Sequence, residues 1–184
     1  VFTHEHKDHV AGLDDVRAFN FMSKGAMDIY ATKRVQEALK KEFHYAFSEE
    51  KYPGTPVLNL KTIENKKFSA AGIEFEPIEV MHYKLPVLGF RFNDFTYITD
   101  AKTISDTEKE KMKGSHFLVL NALRKSEHIS HFNLDQALEL IREINPKRAF
   151  LTHISHLMGQ HDEVEALLPD NVEIAYDGQK IAFE

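Results

Sequence analysis

Three imidazoles and a carboxylate fall within six consecutive positions near the start of the chain: His4, His6, Asp8 and His9, in Thr3-His4-Glu5-His6-Lys7-Asp8-His9. Imidazole and carboxylate are natural ligands of first-row divalent metals. In an extended segment alternate side chains share a face, so His4 and His6 can reach one cation together. Asp8 and His9 follow in a loop that can turn toward a second. The bland alternative is a solvated loop that happens to be rich in histidine, but such loops seldom select three histidines and an aspartate at this spacing.

Four ligands cannot close two sites, and three further candidates lie downstream. His82 follows the apolar run Ile73–Val80, Asp100 ends Phe95–Thr99, and His153 ends Arg148–Thr152. Each stands behind an expected strand, at the carboxyl edge where open α/β sheets hold ligands. Asp100 is suited to bridging, because a carboxylate can share its two oxygens between cations about 3.5–4 Å apart.

The elements that must position these residues alternate between strand and helix patterns, the α/β signature. Val1–Thr3 reads as the end of a strand. Gly12-Leu13-Asp14-Asp15 opens a helix running to about Phe21. Met27–Ala31 is a short strand, and Thr32 caps a helix whose Val35, Leu39 and Phe43 recur every four residues. Tyr45 to Pro56 reads as a loop or lid. Val57–Ile63, Ile73–Val80, Val87–Phe92 and Phe95–Thr99 are expected strands, with Asn93-Asp94 as the turn between the last two. Ser105-Asp106-Thr107-Glu108 is a capping box ahead of a helix. Phe117–Leu120 is a buried strand. Asn133-Leu134-Asp135-Gln136 opens a helix with Leu134, Ala137, Leu138 and Ile141 on one face, stopped by Asn145-Pro146. Arg148–Thr152 is the next strand. A helix near Asp162–Leu168 and two short strands around Asp177-Gly178 complete the chain.

At 184 residues and 42% apolar composition, the chain can build a real core, and a single domain over 1–184 is the simplest expectation. The net charge of -6 argues against a long nucleic-acid footprint. There is no cysteine, which removes disulfides and thiolate zinc sites and suits the cytoplasm. No apolar run has the length of a membrane span. Because the metal motif starts at once behind Val1-Phe2, the expectation is an N-terminally incomplete domain whose first strands are missing.

With His4-x-His6-x-Asp8-His9, then His82, Asp100 and His153 in that order, the chain resembles the metallo-β-lactamase superfamily. The resemblance covers essentially the whole chain. It implies an αββα sandwich with a dinuclear site at one edge of the sheets. In that arrangement His4, His6 and His82 hold one metal, Asp8, His9 and His153 hold the other, and Asp100 bridges. The segments His9 to Arg17, Tyr52-Pro53-Gly54, Leu151 to His156 and Tyr176-Asp177-Gly178 look like the phosphoribosyl 1,2-cyclic phosphate phosphodiesterases, a group similar to ribonuclease Z. Both have a histidine before a late helix that faces the scissile phosphate, and Ser130-His131-Phe132-Asn133-Leu134 matches it. His131 inherits that role, with His128 as runner-up. His156 is a weaker candidate for substrate contact or metal support. His44, His116 and His161 read as structural or solvated.

The resemblance implies a phosphodiesterase acting on a small, cyclic phosphodiester. The cofactors it implies are two divalent ions, zinc or manganese, with iron as a third option. A bridging hydroxide would attack phosphorus, Asp8 would orient it or take its proton, and His131 would protonate the leaving alkoxide. The alternatives are a ribonuclease Z-like nuclease on RNA ends and a non-catalytic metal-binding module. The expected partner is a small substrate rather than a membrane or long nucleic acid, and a homodimer is the assembly allowed for.

Overall fold

The computed structural model describes residues 1–182, and the chain divides into two compact units, Val1–Ala70 and Ala71–Glu184. Among the described residues no helix is long and apolar enough to cross a membrane.

In the first unit, the helical region begins earlier than the sequence suggests. Helix α1 (Lys7–Val10) runs into a 3-10 segment (Ala11–Val16) and then α2 (Arg17–Ser23). Asp8 and His9 therefore stand on a helical turn rather than in a loop, with His6 at its N-cap. Val1–Thr3 is not a strand, although the Phe2 N–H donates to the Tyr30 carbonyl at 2.9 Å in a strand-like bond. Strand β1 (Met27–Ala31) pairs in parallel with β2 (Leu58–Thr62). Between them lie α3 (Lys33–Glu42) and the single turn α4 (His44–Phe47), which occupies the start of the expected loop. Thr32 caps α3 by accepting from the Val35 N–H. Val35, Leu39 and Phe43 are all buried, joining Val10, Leu13, Ile29, Ala31 and Ala46 in one core. A short strand, β3 (Phe68–Ala70), was not legible from its three residues.

The second unit is built on a mixed sheet. Its strands are β4 (Ile73–His82), β5 (Leu85–Phe92), β6 (Phe95–Ile98), β7 (Thr103–Ile104), β8 (Phe117–Asn121), β9 (Arg148–Thr152) and β10 (Val172–Ile174). They run in the order β10-β9-β8-β6-β5-β4, with β7 paired to β4. Helices α5 (Asp106–Met112), α6 (Leu134–Ile144) and α7 (His161–Glu165) connect them. The expected second strand near Asp177-Gly178 is absent among the described residues. Leu118, Leu120, Ala149 and Leu151 of the central strands are buried with Ala137, Leu140, Ile141 and Ile144 of α6. Burying each large aliphatic side chain contributes about 1.5–3 kcal/mol.

Helix α6 opens on a reciprocal cap: Asn133 accepts from Gln136 N, and the Gln136 side chain accepts from Asn133 N. The cap of α5 is only half formed. Ser105 accepts from Glu108 N, but the Glu108 carboxylate turns to the Glu79 N–H of β4 at 2.8 Å and to Lys111. A tertiary donor outcompetes the local one.

Strand direction decides which residues reach a common edge. β6, β8 and β9 are mutually parallel, and β5 is antiparallel to both β6 and β4. β4 therefore points the same way as β6, β8 and β9, and all four end at one edge of the sheet. Gly89 on β5 lets β6 come close, since a Cβ there would lie 2.3 Å from Ile98 Cδ1 and 2.8 Å from the Tyr97 carbonyl oxygen. Gly89→Ala is expected to destabilise the protein by about 1–3 kcal/mol through overpacking. A lower urea midpoint with an unchanged slope would show it.

Candidate metal centre

The shared strand edge gathers chemistry. His82 is the last residue of β4, Asp100 lies two residues beyond β6, and His153 directly follows β9. Asp100 and His153 have φ of +56° and +55°, in the left-handed region. Such a conformation costs of order 1–3 kcal/mol for a residue with a side chain, and it persists where the surroundings impose it. Two parallel-running strands thus end in an unfavourable backbone turn at the two residues whose types suit a cation.

Asp100 is 2% exposed. Its Oδ2 lies 3.3 Å from His131 Nε2 and its Oδ1 lies 3.3 Å from His153 Nε2. The Thr99 hydroxyl donates to Oδ1 at 2.7 Å. Each carboxylate oxygen therefore faces a different imidazole, one from the expected ligand His153 and one from the expected acid His131. His82 is also buried, and its Nδ1 donates to the Ser130 carbonyl at 2.8 Å. That bond fixes the tautomer and leaves Nε2 with the lone pair, as in histidines that ligate metals. Ligand atoms of His82, Asp100 and His131 all lie within 4.8 Å of one another. A buried carboxylate among imidazoles, one of them with its tautomer already set, fits a divalent cation.

The first unit makes a second gathering of its own. The His4 and His6 rings meet edge to face with centroids 4.6 Å apart, and His4 lies 4.2 Å from His9. His9 Nε2 is 3.1 Å from Asp8 Oδ2. His4 is fully buried and shares a hydrogen bond with Thr3 Oγ1 through Nδ1, so a cation would take its Nε2. Glu5, between the two histidines, turns instead to Arg34 at 3.1 Å. This is the alternation of faces expected of an extended segment. Each unit thus assembles its own share of the seven expected ligands.

His131 is 8% exposed and sits beside Asp100, two residues before the N-cap of α6. His156 is exposed and makes no hydrogen bond or ion pair with the other candidates among the described residues. His44 and His161 are exposed and His116 pairs with Asp94, consistent with ordinary surface roles.

The residue that sequence reasoning missed is Asn121, at the end of β8. It is fully buried and grips the residue after Asp100 from both sides. Oδ1 accepts from Ala101 N at 2.8 Å and Nδ2 donates to Ala101 O at 3.0 Å. The same Ala101 carbonyl accepts from Phe132 N at 2.8 Å, which ties the His131 segment to the Asp100 turn. A polar residue closing the apolar run Phe117-Leu118-Val119-Leu120 was the available signal. Asn121→Ala strands the Ala101 N–H in the interior, at a cost of about 1–3 kcal/mol. It should also weaken zinc binding about 10–100-fold by freeing the Asp100 turn, as read by chelator competition.

A family model described as a β-lactamase superfamily domain matches residues 1–154. The curated octanoyltransferase of Porphyromonas gingivalis (strain ATCC BAA-308 / W83) is 37% identical over 180 residues, covering 97% of this chain. The chain spans only 36% of that protein's length. Among solved structures, a diphosphatase from the PhnP family matches with a TM-score of 0.89 and 32% identity, covering 99% of this chain and 70% of the other. The short form of human tRNase Z shares the fold at a TM-score of 0.68 and 17% identity, covering 98% and 77%. Zinc-bound PqqB from Methylobacterium extorquens does so at 0.74 and 14%, covering 98% and 71%.

Proposed function

The chain belongs to the metallo-β-lactamase superfamily, in its PhnP-like group of metal-dependent hydrolases, and on that premise we propose that it hydrolyses a small phosphodiester, cyclic in its natural form. The observation that carries this reading is the carboxylate of Asp100, buried with one oxygen toward His131 and the other toward His153. By the superfamily pattern, His4, His6 and His82 would hold one cation, Asp8, His9 and His153 the other, and Asp100 would serve both. We further propose that 1–184 forms one domain, since the family match over residues 1–154 runs through both units.

Two divalent ions so held, zinc or manganese, would supply Lewis acidity, bringing the pKa of water toward about 7 and offsetting charge on phosphate oxygens. The protein's own part is to orient and to move protons. Asp8 steers the attacking oxygen or accepts its proton. His131, held beside Asp100, donates a proton from Nε2 to the leaving alkoxide as the P–O bond breaks. Tight burial around Asp100 keeps competing water away and strengthens each electrostatic contact.

A second reading has a specific support: the 32% identical PhnP-family protein is described as a diphosphatase. Cleavage of a P–O–P linkage would use the same groups. Octanoyl transfer is named for a protein of which this chain spans 36%, and this chain holds no cysteine to carry an acyl group. The cytoplasm and a small-molecule substrate remain part of the proposal, as does a homodimer.

The test is a side-by-side assay of zinc- and manganese-loaded protein. The substrates are bis(p-nitrophenyl) phosphate, a ribose 1,2-cyclic phosphate, a nucleoside diphosphate, a tRNA precursor and an octanoyl thioester. Turnover of the first two supports the proposal. Preference for the tRNA precursor would favour the nuclease reading, and bound metal with no turnover at all would favour a non-catalytic module.

A further inference from the structure

Three residues ahead of the acid lies a second imidazole that the reaction does not consume. His128 Nδ1 is 3.0 Å from His131 Nδ1, and the two rings are tilted with centroids 4.9 Å apart. Two ring nitrogens at that distance need one proton between them, so one must donate and the other accept. The backbone decides which. The Ser130 N–H points at His128 Nδ1 from 3.3 Å, and an amide N–H can only donate. His128 Nδ1 therefore carries a lone pair, and His131 Nδ1 must carry the hydrogen. The Ser130 hydroxyl, within 3.3 Å of His128 Nδ1 and 3.1 Å of His131 Nδ1, can bond in either sense and does not disturb the assignment.

We infer that His128 is a positioning residue: by accepting from His131 Nδ1–H, it fixes which ring nitrogen of His131 stays protonated and aims Nε2 at Asp100 and the reacting phosphate. Ser130 is the hub of this arrangement. Its carbonyl sets the tautomer of His82, its N–H sets that of His128, and His128 sets that of His131. Burial, and after it the neighbouring charges of His131 and Arg124, hold His128 below the usual imidazole range, which keeps its acceptor lone pair available. Once Nε2 has given its proton to the leaving oxygen, His131 is left as the Nδ1–H tautomer, the form this hydrogen bond favours, with no rearrangement of the ring.

The inference rests on His131 acting as the acid proposed above, so the experiment reads the ring separately from the reaction. Zinc-loaded protein with 15N-labelled histidine is compared as wild type, His128→Phe and His128→Asn. Long-range proton–nitrogen spectra identify the protonated nitrogen of His131, and turnover is followed on a ribose 1,2-cyclic phosphate, whose alkoxide leaving group needs the acid. The wild type should show His131 protonated at Nδ1. His128→Phe keeps a ring of similar size but no acceptor, so the His131 Nδ1–H signal should weaken or move and kcat should fall about 10–100-fold. Asn at 128 places an amide oxygen where Nδ1 was, and should restore the signal and most of the lost kcat. A wild-type His131 protonated only at Nε2 would overturn the inference. So would a His131 signal unchanged in His128→Phe, or an Asn variant as impaired as the Phe variant. Should His128→Phe fail to fold, the wild-type spectrum and His128→Asn decide between them. If the wild type cleaves no phosphorus ester, the proposed reaction fails, while the spectra still decide the role of His128.

Discussion

Asp100→Asn is expected to abolish turnover, by about 10³-fold or more, and to lower bound zinc in elemental analysis, while raising the melting temperature of the metal-free protein. The three outcomes have one cause. Asp100 is 2% exposed, so its charge is held where water cannot solvate it, and the fold bears that cost for the sake of the site. The amide has the same shape but no charge, which relieves the strain on the apo-protein. It also turns one acceptor oxygen into an NH₂ donor facing an imidazole nitrogen 3.3 Å away, whether that of His131 or of His153. An amide cannot serve two cations as a carboxylate does. Loss of electrostatic stabilisation of this kind costs about 10²–10³ in kcat even for a single neutral donor, and a carboxylate shared between two cations, the role proposed for Asp100, counts for more. If Asp100→Asn kept full zinc and activity, the buried carboxylate would have no catalytic purpose.

His131→Ala separates ligand from acid. The imidazole lies 3.3 Å from Asp100 Oδ2, and its ligand atoms fall within 4.8 Å of those of His82 and Asp100, so geometry alone would also allow it to bind metal. As a general acid, its removal should lower kcat about 10²–10⁴-fold with zinc content unchanged. As a ligand, its removal should take zinc with it. Activity toward an ester with a p-nitrophenol leaving group should suffer less than activity toward one with an alkyl leaving group, because the weaker base needs less help to depart. A proportional loss of zinc and activity would assign His131 to the metal instead.

Much of this architecture could be read from residues alone. The apolar runs that became β1, β4, β5, β6, β8 and β9 are long or strongly alternating, and the periodic Val35, Leu39 and Phe43 gave α3 without ambiguity. What escaped was decided by partners distant in sequence. β7 is two residues long and exists because Met81 and Val80 pair with it. Glu108 left its local cap for the Glu79 amide. The early start of the helical stretch at Lys7 put Asp8 and His9 on a turn that no apolar repeat announces. The ligand types themselves stood out because histidine and aspartate directly behind a buried strand are poor choices for packing. Asn121 and Ser130 did not stand out, since each acts through backbone groups of other segments whose position only the fold supplies.

The hairpin joining β4 to β5 is as short as a hairpin can usefully be: His82 pairs with Leu85, and only Tyr83 and Lys84 lie between. Side chains alternate faces along a strand, so a slip of one position would rotate the whole of β4 and present Met81 or Tyr83 where an imidazole belongs. A misaligned hairpin here would still be a sheet, but a sheet without the His82 imidazole beside Asp100 and His131. Accuracy of folding and competence in chemistry are thus inspected at the same tight bend.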